Sequence, residues 1–252
     1  MQKTKLLLGA IIALVIAYLG LIIFQQETIA DYIRPVILPM VVIHYCLSGH
    51  NERTYFFLFL LFYAFSEVLG VFYYYSTTSK LAEDIMYFGC NILYILAYIF
   101  LILEVLRSID VSNIFKKFAV HLIILLVLDI YCVILVSDVA IKSEALTTVS
   151  EYILEFVYNI VIMALLTITL VNYLHRDSKK AMNLLMGTLC IVFSEVIQVA
   201  YYYVSEILIL GIAYNVLLIL AFCFFYIQIA MAHEVPKVFE QPVNKPVNKV
   251  EV

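Results

Sequence analysis

The sequence predicts an all-α, polytopic membrane protein: eight transmembrane helices arranged as two parallel four-helix repeats. Three observations predict it. The 252-residue chain is 65% hydrophobic and only 13% charged, whereas a soluble domain is about half apolar and about a quarter charged. Its apolar residues form continuous runs long enough to cross about 30 Å of hydrocarbon, not the alternating pattern of a membrane barrel. One phrase is also written twice. FSEVLGVFYYY occupies 65–75 and FSEVIQVAYYY occupies 193–203, with eight of eleven positions identical.

The first run, 6–24, follows Lys3 and Lys5. It is too long for the apolar region of a signal peptide and reads as an uncleaved first helix. The second span, 32–47, is shorter and holds Pro35 and Pro39, with no charge after Arg34. Arg34 itself is assigned to the preceding outer loop. Runs at 55–75, 85–106, 117–137, 152–174, 182–204 and 208–232 complete the set of eight. Residues 1–235 are thus expected to form one transmembrane domain, with repeat one at about 5–106 and repeat two at about 117–232. Residues 236–252, with their PVNKPVNK duplication, read as a disordered cytoplasmic tail.

Charge supports the count. With the N-terminus inside, the cytoplasmic segments carry Lys3, Lys5, Arg53, Arg107, Lys116, Lys117, Arg176, Lys179, Lys180, Lys237, Lys245 and Lys249, against Arg34, Lys80 and Lys142 outside. This is a positive-inside bias. It predicts a multi-pass integral membrane protein with both termini cytoplasmic, in a membrane such as the cell inner membrane. The net charge of -4 comes without a basic stripe, so nucleic acid is not an expected partner. Cys46, Cys90, Cys132, Cys190 and Cys223 have no metal or disulfide spacing and read as small buried hydrophobes. Phosphate-cradling glycine loops, HExxH and GxSxG are missing. No metal or cofactor is expected.

The repeated phrase extends in both directions. Residues 43–68 align without gaps on 171–196, placing Tyr45 on Tyr173. Residues 90–100 align with 214–224, placing Asn91 on Asn215. Four helices per repeat returns the chain to the same side, so the repeat is parallel, with a pseudo-twofold axis along the membrane normal. Glu67 and Glu195 then lie at nearly equal depth near the bilayer middle. A charge there costs roughly 2.5–3.5 kcal/mol on insertion scales and marks a functional site by default. With no Lys or Arg read in the middle of any span, the two carboxyls are expected to face each other across one polar cavity and to titrate as a pair. The alternative is that they are structural, tying helices together by hydrogen bonds.

Helical spacing places Tyr63, Gly70 and Tyr74 on the Glu67 face, and Gln198 and Tyr202 on the Glu195 face. Tyr87, Asn91, Tyr94 and Tyr98 form a polar-tipped stripe on the fourth helix, and Asp129 is a third acid in mid-span. The tyrosine triplets also read as an aromatic belt at the outer interface. His44 and His121 are assigned interfacial roles.

These motifs resemble the YhhN family of eight-span membrane proteins, which includes lysoplasmalogenases. The resemblance covers roughly 5–232. It rests on Arg34, Pro35, Pro39 and Met40 in the second helix, Phe65-Ser66-Glu67 in the third, and Phe88, Asn91 and Tyr94 in the fourth. Tyr158 and Met163, Phe193-Ser194-Glu195, and Gln228 extend it through the last three. The family's two aspartates are glutamates in this chain and its histidine is Asn91, which cannot titrate. The resemblance implies hydrolysis of the vinyl ether bond of a lysoplasmalogen, with a lipid or lysolipid as partner. Glu67 and Glu195 would then be the catalytic acids. Asn91, Tyr94, Gln198, Asn215, Tyr63, Tyr74, Tyr202 and Asp129 would be the binding residues. A small proton-coupled transporter, or a lipid-binding membrane protein without catalysis, is the alternative that the residues alone support.

Overall fold

The computed structural model describes residues 2–48, 54–75, 80–107, 109, 111–143, 146 and 148–231. The expected tail at 236–252 lies outside them. The described residues form eight helices and no strand: α1 (Gln2–Ile23), α2 (Glu27–Leu47), α3 (Thr54–Tyr75), α4 (Lys80–Leu106), α5 (Val111–Lys142), α6 (Val149–Arg176), α7 (Lys179–Tyr203) and α8 (Leu208–Ala230). All eight are long and apolar enough to cross a membrane.

Local chemistry sets the breaks. Between α1 and α2 the chain turns through Gln25, at φ 58°. The link between α6 and α7 uses Asp177 at φ 42°, whose N–H donates to the Tyr173 carbonyl. Thr148 and Glu151 cap the start of α6 reciprocally, and Ser178 accepts from the Ala181 amide at the start of α7. The fifth helix continues past its apolar run in both directions, with a kink at Phe118.

One boundary changes the reading of the site. α2 starts at Glu27, not near Tyr32, and runs through Pro35 and Pro39 without a break. Each proline withholds an amide from the carbonyl four residues earlier, yet the helix persists. Arg34 is therefore not in an outer loop. It lies seven residues inside a helix, about 10 Å from its start. The expectation that no cation sits within a span is corrected by this placement.

The duplication holds at the level of individual hydrogen bonds. The Ser66 hydroxyl donates to the Cys90 carbonyl at 2.8 Å, and the Ser194 hydroxyl donates to the Tyr214 carbonyl at 2.7 Å. These are equivalent positions in the two alignments. Asn91 Nδ2 donates to the Tyr87 carbonyl at 2.8 Å, and Asn215 Nδ2 to the Gly211 carbonyl at 2.9 Å. Each serine clamps its helix to the next: α3 to α4, and α7 to α8. Glu67 and Glu195 each sit eight residues before the end of their helix, the same register in the two repeats.

Packing follows the repeat within each half. α1 packs on α2, α2 on α3 and α3 on α4, and α5, α6, α7 and α8 repeat that order. The two seams between halves differ. α4 packs directly along α6, whereas α2 and α8, its counterparts, stand farther apart and meet through side chains such as His44 and Tyr226; α1 also packs on α8. The centre is filled by aromatic rings, with Phe56, Phe59 and Tyr63 of α3 meeting Phe222 and Phe225 of α8. The cysteines are less enclosed than expected. Cys46 and Cys223 are exposed and the other three are partly buried.

α7 and α8 approach each other closely at Gly187. A β-carbon there would lie 2.5 Å from Phe225 Cε1 and 3.2 Å from the Ala221 carbonyl. Phe225 is 1% exposed and has no room to move aside. Gly187→Ala should therefore destabilise the protein by about 1–3 kcal/mol, seen as a lowered thermal midpoint in detergent. Gly70→Ala, with nothing within 4 Å of the new methyl, should leave the midpoint in place.

Candidate functional site: a buried ion pair between a tyrosine cluster and an apolar cleft

Glu67 is 5% exposed and carries a partner at each oxygen. Arg34 Nε donates to Oε2 and Arg34 Nη2 to Oε1, both at 2.7 Å. The Tyr94 hydroxyl of α4 also donates to Oε1, at 2.9 Å. This is a side-on, two-point guanidinium–carboxylate contact, the arrangement in which a buried charge pair is best satisfied. It ties α2, α3 and α4 together at one depth.

Glu195 is held differently. The Tyr98 hydroxyl donates to its Oε1 at 2.5 Å. Tyr158 of α6 also lies within hydrogen-bonding reach of it. The Tyr98 and Tyr158 rings meet edge-on with centroids 5.9 Å apart. Tyr94 and Tyr98 are one helical turn apart on α4, so one face of α4 serves both acids. Tyr63 stands between them. Its ring packs at 4.9 Å from Tyr94 and 6.0 Å from Tyr98, and its hydroxyl lies within reach of that of Tyr98.

This arrangement corrects the expectation of two carboxyls facing each other across one cavity. α3 and α7 are not packed neighbours, and the α4 tyrosines stand between their acids. Glu67 is matched by a cation, and Glu195 is bound by phenols. The physical reason is the direct α4–α6 seam, which inserts aromatic side chains where a symmetric pocket would have opened.

An open volume lies at the other seam. A cleft of about 460 Å³ runs between α1, α2 and α8. Its walls are aliphatic and aromatic, including Ile11, Val15, Leu38, Ile219 and Phe222. Arg34, Tyr18 and Asn215 mark one end, and His44 lies ten residues along α2 from Arg34, about 15 Å away. Beyond Arg34, Tyr18, Ile22 and Ala30 close the packing between α1 and α2. The Tyr18 hydroxyl donates to Asn215 Oδ1 at 2.6 Å. His44 is 5% exposed and its ring meets that of Tyr226 at 5.5 Å. It is thus a buried wall of the cleft in the last turn of α2, beneath Tyr226 of α8.

The remaining expected residues separate. Tyr63 and Tyr94 join the acid cluster, while Asn215 lines the cleft and Asn91 bonds back to its own helix. Gln198 is half-buried and makes no hydrogen bond among the described residues. Tyr202 is 55% exposed and packs on Tyr201, as an aromatic belt residue would. The Tyr74 side chain lies outside the described residues. Asp129 accepts from Thr167 at 2.7 Å, which ties it to α6 and not to the tyrosine cluster. Three contributors were missed: Arg34 as a counter-ion, Tyr98 as the direct partner of Glu195, and Tyr18. The second span as drawn, 32–47, already included position 34, and reading Arg34 with that span instead of with the outer loop would have found the counter-ion.

Removing one partner of a buried ion pair leaves the other charge unmatched, at a cost of about 3–5 kcal/mol. Arg34→Gln should lower the stability by about that much. Arg34→Gln/Glu67→Gln should recover most of it, because no lone charge remains. Chemical denaturation of the two variants beside the parent protein in detergent checks this, and a double variant no better than the single one contradicts it. No family model, curated protein or solved structure matches the chain.

Proposed function

We propose that the protein is an integral membrane protein that binds a single-chain lipid in the α1–α2–α8 cleft. The observation that carries this is the cleft itself: about 460 Å³ of apolar space with few polar groups, Arg34 among them. Small-molecule sites have this character, an apolar enclosure of about 300–1,000 Å³ with a few polar groups that fix orientation. A length of about 15 Å along the helices suits an alkyl chain laid parallel to them. The distribution of Lys and Arg supports an orientation with both termini cytoplasmic, and moving Arg34 out of the loops sharpens it. The His44 end of the cleft then faces the cytoplasmic side, and a bacterial inner membrane suits this reading.

Native mass spectrometry of the detergent-purified protein should find one single-chain lipid retained. Ile219→Trp, which fills the cleft from α8, should abolish retention while the helical content stays unchanged. A protein that retains no lipid, or a variant that retains as much as the parent, argues against this reading.

A second reading is hydrolytic, and the contacts of Glu195 favour it. A carboxyl bonded by phenols and not by a cation is equipped to carry a proton. In the chemistry implied by the likeness to the YhhN family, that proton goes to the terminal alkene carbon of a vinyl ether. Water adds to the resulting oxocarbenium carbon, and the hemiacetal collapses to aldehyde and alcohol. Purified protein with lysoplasmalogen should then release fatty aldehyde, and Glu195→Gln should stop the release. No aldehyde from the parent protein rejects this second reading and leaves the first intact.

A further inference from the structure

Resting on the lipid-binding reading, we infer that the cleft selects lipids whose buried polar group is uncharged and oxygen-bearing, such as a hydroxyl or carbonyl, and that Glu67 sets this preference. Arg34 lines the cleft, and its guanidinium is the cation at that end. A guanidinium has five N–H donors. Glu67 takes one at Nε and one at Nη2, and no bond to the described residues uses Nη1. Donors therefore remain for a ligand oxygen.

The charge, by contrast, is already matched. The pair is net neutral, with N–O distances of 2.7 Å at both contacts. An anionic group entering beside it would find no free positive charge and would lose its hydration in an apolar enclosure, a steep penalty for an unmatched ion. A hydroxyl or carbonyl loses far less and gains a hydrogen bond to a charged donor. Nearby polar groups supply no second cation: the Tyr18 hydroxyl is donated to Asn215, and Asn215 Nδ2 to the Gly211 carbonyl.

The same geometry says how to invert the preference. Glu67→Gln keeps the shape beside Arg34 but removes the compensating charge. The cleft then presents an unmatched guanidinium, which an anionic group would satisfy.

Cys223 is exposed and lines the cleft, so it serves as the reporter. In a variant whose other four cysteines are alanine, in nanodiscs, the rate of N-ethylmaleimide labelling at Cys223 is measured against tetradecan-1-ol and tetradecyl phosphate. The alcohol should protect Cys223 at about tenfold lower concentration than the phosphate, a difference of about 1.4 kcal/mol. Glu67→Gln should reverse the order. If Glu67→Gln does not fold, the neutral double variant Arg34→Gln/Glu67→Gln should weaken protection by the alcohol several-fold, because the guanidinium donors are gone. A phosphate that protects as well as the alcohol in the parent overturns the inference. So does an order unchanged by Glu67→Gln, or alcohol protection unchanged in the double variant. If neither compound protects Cys223, the lipid-binding reading itself fails.

Discussion

The two-point contact between Arg34 and Glu67 is the constraint on which the rest of the structure turns. Arg34 comes from a proline-containing helix of the first repeat, and Glu67 from the middle of the next helix. Neither charge is tolerable alone in an apolar bundle, and together they form a neutral, hydrogen-bonded unit. The pair fixes the register of α2 against α3, and Tyr94 extends the lock to α4. On its other side Arg34 faces the cleft. One interaction therefore joins the packed half of the molecule to its open volume.

The two repeats share a plan and diverge in its use. The serine clamps at Ser66 and Ser194 and the asparagine bonds at Asn91 and Asn215 are the same device made twice. The divergence lies in the aligned positions of α4 and α8. Tyr94 and Tyr98 of the first repeat correspond to Leu218 and Phe222 of the second. The hydroxyls of the first pair bind the two acids and draw α4 into the α4–α6 seam. The side chains of the second pair have no hydroxyl, and both line the cleft at the α2–α8 seam. Closed and polar at one seam, open and apolar at the other: this asymmetry makes the molecule a candidate binding protein and not merely a bundle.

Much of this was legible in the sequence. Continuous apolar runs gave eight helices with bounds close to those observed, because a membrane span leaves few alternatives. The duplicated phrase marked the matching register of Glu67 and Glu195 in α3 and α7, since position along a helix is fixed by residue count. The polar stripe on α4 marked the tyrosines that bind both acids. Arg34 was misplaced because a charge near the start of an apolar run reads as part of the loop, and only a tertiary partner makes a charge acceptable farther in. The cleft was invisible for a related reason. It exists because α2 and α8 do not approach closely along their backbones, and no local pattern in α1, α2 or α8 records how far apart two helices stand.

The most direct measurement of the central claim is isotope-edited infrared spectroscopy on the protein in lipid, comparing the parent with Glu67→Gln. An ion pair requires that the substitution remove an ionised carboxylate band and leave the protonated carbonyl region unchanged. Loss of a protonated carboxylic acid band instead would mean that Glu67 is neutral and that Arg34 lacks its counter-ion. That result would contradict both the register lock between α2, α3 and α4 and the neutral character of the cleft.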